Sequence, residues 1–260
     1  MNLINRGLLV LGLIAGTQLA VAADWSTTQV DLQIGDLISP GFGFRPETEN
    51  STTIITFQHA SGYKYGDNFF FVDFLDSGDP SGFNNKDWYG EWYTNFSYNK
   101  INGKEFKGAI RDVGFTLGVN YAADANVVKY IPAIRLDWNV PGFNFLNTMI
   151  GLYIDDSDGV IGGPPGSAPA EDDSWIIDAA WGANFGKDKK WSFAGHIEYV
   201  DSRTNEFGGK VESWVLAQPQ IRYHFNDALA AGIEYQYWMN KLGDKEADES
   251  AVQLLLTYTF

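Results

Sequence analysis

Apolar side chains recur at every second position along most of this chain, and almost nowhere with the 3.6-residue period of a helix. Val30, Leu32 and Ile34 alternate with Gln29, Asp31 and Gln33. Val113, Phe115, Leu117, Val119 and Tyr121 alternate with Gly114, Thr116, Gly118 and Asn120. Side chains of a strand point alternately to its two faces, so each such run predicts a strand with one greasy and one wetter face. The same reading predicts strands over 51–63, 68–76 and 89–98, with a tight turn at Gly66-Asp67 before the second of these. Further runs are centred on Ile134, Leu152, Ile177, Ile197, Ile221 and Ile233. The last run covers Ala251–Phe260, with Val252, Leu254, Leu256, Tyr258 and Phe260 on one parity and Leu255 as the exception on the other.

About twelve strands of roughly ten residues result, the length a tilted strand needs to cross a bilayer. Loops mostly alternate long and short, as in outer-membrane barrels, although 99–112 is long for its place in that rhythm. A final strand that runs to Phe260 suits a barrel, whose last strand must pair with its first to leave no edge in lipid. It also resembles the C-terminal signature of bacterial outer-membrane proteins. Trp88, Tyr98, Tyr121, Tyr130, Trp138, Trp175 and Tyr258 fall near strand ends, where interfacial girdles place aromatic rings. The expected fold is all-β: a closed antiparallel transmembrane barrel over 23–260. A soluble sandwich or lipocalin-like barrel is the alternative.

Composition sharpens this. The chain carries 9 Trp, 13 Tyr and 18 Phe, a load that favours strands and membrane interfaces. It has no Cys, so neither disulfide nor thiol chemistry is available. Residues 1–22 read as a secretory signal, with Arg6, an apolar run from Leu8 to Ala15, and Ala20-Val21-Ala22 before the cut at Ala23. The formal charge of -15 becomes one unit more negative once Arg6 is removed, which argues against nucleic acid as a partner. Export without a lipidation Cys or a spanning helix points to periplasm, outer membrane or medium, and the strand pattern selects a Gram-negative outer membrane.

On these parities the lumen receives Asp31, Glu91, Asp137, Asp178, Glu198 and Glu234, with Arg135 and Arg222 as bases and Tyr93 and Tyr153 among the aromatics. Facing acids and arginines make a polar constriction in a narrow pore. A different role for the same charges is to knit the barrel interior and balance one another.

Two stretches carry a resemblance to a family. One runs from Thr52-Thr53-Ile54-Ile55-Thr56-Phe57-Gln58-His59-Ala60 through Asp67–Asp76, and the other is Glu91-Trp92-Tyr93-Thr94-Asn95-Phe96-Ser97. A strand, a short turn, an Asp-led aromatic strand ending in Asp and then an acid-led strand resemble the nucleoside-specific channel-forming (Tsx-like) outer-membrane proteins, a family that includes phage receptors. The resemblance implies a monomeric barrel with a narrow lumen that passes nucleosides. A nucleoside needs aromatic faces for its base and hydrogen-bond partners for its ribose. Phe69, Phe71 and Tyr93 are the candidates for stacking. Asp73, Glu91, Arg135, Asp137 and Arg222 are the candidates for polar contacts. Phe70 and Val72 depart from the resemblance, being apolar where a more polar lining is expected.

The expected function is thus a passive channel for small polar solutes, with no catalytic residue, metal or cofactor. Its expected partners are the bilayer, lipopolysaccharide, the barrel assembly machinery and, for a receptor, a bacteriophage. Two alternatives remain: a plugged structural or receptor barrel, and an outer-membrane acyl hydrolase using His59 and Ser61. The acidic runs Asp155-Asp156-Ser157-Asp158 and Glu171-Asp172-Asp173 could bind Ca²⁺ or form a solvated face bridging cations beside anionic lipid.

Overall fold

The structure, a computed structural model, describes residues 23–42, 46–78 and 86–260; the expected signal at 1–22 lies outside them. Wall strands β1 (Trp25–Ser39), β2 (Thr48–Tyr63), β3 (Gly66–Ser77), β4 (Lys86–Ser97), β5 (Ile110–Ala122) and β6 (Val127–Trp138) follow one another as antiparallel neighbours. β7 (Phe145–Asp155), β8 (Ser174–Phe185) and β9 (Trp191–Val200) continue the meander. The tenth strand, β10, is laid down in two pieces, Trp214–Ala217 and Gln220–His224. Their register is continuous, since Leu216 faces Glu198 and Gln220 faces Ala194. The break falls at Pro219, which has no N–H to give to the ladder. β11 (Leu229–Met239) and β12 (Glu249–Thr259) complete the wall, and β12 pairs with β1 through Asp31–Thr257 and Leu32–Leu256. The result is a closed twelve-stranded antiparallel barrel without a free edge.

Directly paired residues share a face, so the register fixes which way each side chain points. Asp31, Thr56 and Asp73 form one such inward row across β1, β2 and β3. Phe115, Ile134, Ile150 and Ile177 form an outward row across β5 to β8. Outward apolar residues are open: Ile150 is 57% exposed and Leu254 is 67% exposed, while inward Gln253 and Thr257 are sealed. This inversion, greasy outside and polar inside, is what a bilayer selects, and it excludes the soluble sandwich. Among the described residues no helix is long and apolar enough to cross a membrane.

The start of β1 and the end of β12 lie at one end of the barrel, here the terminal end, with the turns 64–65, 139–144, 186–190 and 225–228. The segment 99–112 also lies there and holds a short helix, Tyr98–Asn102, capped by the Ser97 hydroxyl. Tyr98 therefore leaves the strand that the sequence pattern extends over 89–98. The turn before β3 sits at Lys64-Tyr65 rather than Gly66-Asp67. Gly66 already belongs to the strand, where a Cβ would fall 1.7 Å from the Asn95 carbonyl oxygen. Trp88, Tyr121, Tyr130 and Trp175 ring the opposite, loop end, and Tyr98, Trp138 and Tyr258 the terminal end.

Candidate functional site: the barrel interior

The interior has five differently built zones. The seam wall, made by β11, β12, β1 and β2, is a dense amide and carboxylate network. Gln253 donates to Glu234 at 2.9 Å and to Gln236 at 3.3 Å, and Thr257 donates to Asp31. Gln58 also donates to Asp31, and Thr56 to Asp73. Arg222 reaches Asp31 at 3.7 Å and also donates to Gln220. Asp31, Thr56, Arg222, Glu234, Gln236, Gln253 and Thr257 are buried in this network, and Gln58, Asp73 and Gln220 lie half-buried at its edges.

At the terminal end, Arg135 donates to both oxygens of Asp67 at 2.7 and 3.2 Å and to Asp137 at 2.8 and 3.3 Å. Four of its N–H bonds are thereby used within the wall, and its single positive charge is shared between Asp67 and Asp137. This is the knitting role that the sequence reading left open for these charges. Asp67, 68 residues away in sequence, is a partner the sequence reading did not name.

The third zone lies along β3, β4 and β5. Phe69, Phe71 and Asp73 point inward from β3, and Tyr89, Glu91 and Tyr93 from β4. Phe69 and Phe71 lie 6.1 Å apart and Phe71 and Tyr89 5.9 Å apart, a continuous row of rings on the inner wall. Phe69 is 37% exposed although it points inward, so water reaches this wall. Tyr89 donates to Glu91, Asn120 donates to Glu91 at 2.9 Å, and Tyr93 donates to Asn120 at 3.2 Å. Phe70 and Val72, the two departures from the family resemblance, point outward to lipid and do not line the lumen. Tyr89, not among the candidate lumen residues, shares the parity of Glu91, and that parity alone marks it as inward.

Across the lumen, β8 and β9 bring in Asp178, His196 and Glu198. His196 bonds Asp178 at 3.2 Å and Gln218 at 2.7 Å, and the Trp214 indole donates to Glu198 at 3.4 Å. Asp73, Glu91, Glu198 and Glu234 have no Lys or Arg at ion-pair distance among the described residues. The middle of the lumen is therefore acidic.

Towards the loop end the interior turns apolar. Ile131, Ala133, Met149, Tyr153, Ile176, Val200 and Trp214 pack into one buried cluster with Val211 of the segment between β9 and β10. Leu37, Ile54 and Ala251 form a smaller one. The loops that cover this end are tied down. Glu171 accepts from Lys129 and from Arg203, each at 2.6 Å, and Asp155 pairs with Lys129 at 3.2 Å. Arg203 also lies 4.4 Å from the Trp214 ring. Asp155 and Glu171, acids of the two runs considered for Ca²⁺, thus serve as latches within the protein. Lys241 holds Glu249 at 2.8 Å, and the Phe42 N–H donates to Asp244 at 2.7 Å.

This architecture is shared with solved outer-membrane barrels. A NanC porin is 11% identical with a TM-score of 0.54, over 88% of this chain and 98% of its own. An outer-membrane channel from Pseudomonas putida F1 is 10% identical with a TM-score of 0.53, over 93% and 97%. A KdgM porin is 9% identical with a TM-score of 0.50, over 89% and 99%. The fold is that of the porin-like barrels. The sequence matches no family model and no curated protein. His59, considered for hydrolysis, points outward on β2, stacked on Phe70, with Thr28 Oγ1 2.8 Å from its Nδ1.

Proposed function

We propose that this barrel is a passive channel of a Gram-negative outer membrane for small polar solutes, and that its preferred permeants are nucleosides. The observation that carries this reading is the inward row of rings Phe69, Phe71 and Tyr89 beside Glu91 and Asp73, with Phe69 open to water. A base has two apolar faces that stack on such rings, at about 0.5–1.5 kcal/mol per aromatic pair beyond burial. Its sugar hydroxyls can donate to carboxylates that have no basic partner. A neutral solute also enters an acidic lumen without the repulsion an anion meets. Tyr93 extends the row, while Arg135, Asp137 and Arg222 set the charge around it from within their ion pairs. The porin and channel names of the fold neighbours are in keeping with transport. The outward apolar belt supports a bilayer with a lipopolysaccharide leaflet as the medium around the barrel.

A receptor barrel with restricted flux is the second reading. It is favoured by the apolar cluster and latched loops at the loop end. The deciding experiment is flux into liposomes carrying the folded protein, comparing a nucleoside with a sugar of similar size. Faster nucleoside entry, lost in Phe71→Ala, supports the specific channel. Equal entry makes it a general pore without a stacking site. No entry of either solute leaves the receptor reading.

A further inference from the structure

We propose that Asp178, His196 and Glu198 form a site for one divalent transition-metal ion, of the zinc or nickel class, on the inner wall of the barrel. Asp178 and Glu198 are register partners on β8 and β9, and His196 lies two residues along β9. All three side chains therefore leave the wall on the same face. One ligand atom from each lies within 4.8 Å of the others, within side-chain reach of a common ion with bonds of about 2.0–2.2 Å.

The surroundings of the imidazole point to a ligand. Nε2 faces Gln218 Oε1 at 2.7 Å. Gln218 is held in that orientation because its own amide donates to Gln236 at 2.8 Å and to Glu234 at 3.3 Å. Nε2 therefore carries a proton, and Nδ1 presents its lone pair toward Asp178 Oδ2, 3.2 Å away. Two acceptors facing each other require a cation between them: a second proton on the ring, or a metal. A ligating imidazole whose other nitrogen donates to an amide or carboxylate oxygen is the arrangement that metal sites use to fix tautomer and orientation. Glu198 completes the set, with a single long hydrogen bond from Trp214 at 3.4 Å. Glu91 adds negative charge within electrostatic reach of Asp178 and His196. A set of one nitrogen and carboxylate oxygens suits zinc or nickel better than calcium or magnesium, which favour oxygen throughout. The His196 side chain is 32% exposed, so an ion in the lumen can reach it.

The test is calorimetric titration of Zn²⁺, with Ni²⁺ as competitor, into the untagged, chelator-stripped full-length barrel in detergent. The expected result is one ion per barrel, weakened at least about 10-fold in His196→Gln and Glu198→Gln and unchanged in His59→Gln. Gln218→Leu, which leaves all three ligands in place but frees the tautomer, is expected to weaken binding about 10-fold or more. Heat-modifiable gel mobility establishes that each variant is folded. Glu198→Gln, which keeps the ring and its hydrogen bonds, carries the test if His196→Gln does not fold. Absence of binding to the folded wild type at millimolar Zn²⁺ would overturn the proposal, with Nδ1 then holding a proton. Binding that survives both ligand substitutions would overturn it too, by placing the ion elsewhere.

Discussion

Arg203 is the residue whose removal should open the loop end. Its side chain is 2% exposed, its Nε donates to Glu171 at 2.6 Å, and its guanidinium packs over Trp214. Breaking a buried ion pair from one side costs about 3–5 kcal/mol. Glu171 keeps Lys129 at 2.6 Å, so it is not left bare and the lower end of that range applies. Arg203→Met, which preserves the apolar stem, should thus shift the local closing equilibrium by about 3 kcal/mol, roughly a hundredfold, since about 1.4 kcal/mol is a factor of ten. Tryptic cleavage after Lys210, in the segment this latch holds, reports that equilibrium where opening is fast relative to cutting. The cleavage rate is expected to rise by about two orders of magnitude, and single-channel conductance to rise with it. Arg203→Lys should fall between, because it keeps the charge but not the planar fork. Wild-type cleavage and conductance in a folded Arg203→Met barrel would refute the reasoning, since the segment would then be held by its backbone pairing and by the Val211 and Trp214 packing.

Other parts of the wall make separate predictions. Gly195 lies opposite Pro219 with φ of +152°, and a Cβ there would approach the Gln218 carbonyl oxygen to 2.4 Å. Gly195→Ala should lower the stability of the folded barrel by about 1–3 kcal/mol, read from its urea midpoint in vesicles. Ile134→Arg puts a charge on the outward face at mid-strand and should cost about 2–4 kcal/mol of folding into a bilayer; a cost near zero would deny that this face meets lipid. Arg135→Met leaves Asp67 and Asp137 uncompensated and should cost about 3–5 kcal/mol. Adding Asp67→Asn and Asp137→Asn should recover part of that loss, which comparing the urea midpoints of the single and triple variants would detect.

The faces were legible because period two is a local signal: over Gln29–Ile34 of β1 and Val113–Tyr121 of β5 every second residue announces its side. Closure by pairing β12 with β1 followed from the same pattern. Where the signal failed, a longer-range cause had replaced it. Tyr98 continues the alternation of β4, yet the Ser97 cap turns the chain into a helix there. Pro219 interrupts β10 without shifting its register, so parity survives a break in the ladder. The apolar filling of the loop end could be glimpsed only as runs with both faces greasy, such as Tyr130-Ile131-Pro132-Ala133-Ile134. What those runs packed against, Val211 and its segment, depends on loops that fold inward, and no periodicity encodes that. Asp67 and Gln218 were invisible for the same reason, since an ion pair or a tautomer is set by residues brought together across the wall.

The distribution of polar contacts suggests how one small barrel serves both closure and passage. Along the seam, where the first and last strands must find each other, Gln253 with Glu234 and Gln236, and Thr257 with Asp31, are buried hydrogen-bonded partners. Those bonds link β11, β12 and β1, so they form only when the barrel closes in register, and they reward that register over a slip of one residue. A wall so occupied has few groups left for a solute. The wall from β3 to β5 is built the other way. Its rings have open faces, and Glu91 and Asp73 are held by neutral donors rather than by arginine. A carboxylate bound only to hydroxyls and amides can exchange one of them for a passing hydroxyl at little cost, whereas one locked to Arg135 cannot. Recognition is therefore expected on β3 to β5, and substitutions along the seam should act on folding while leaving solute preference unchanged.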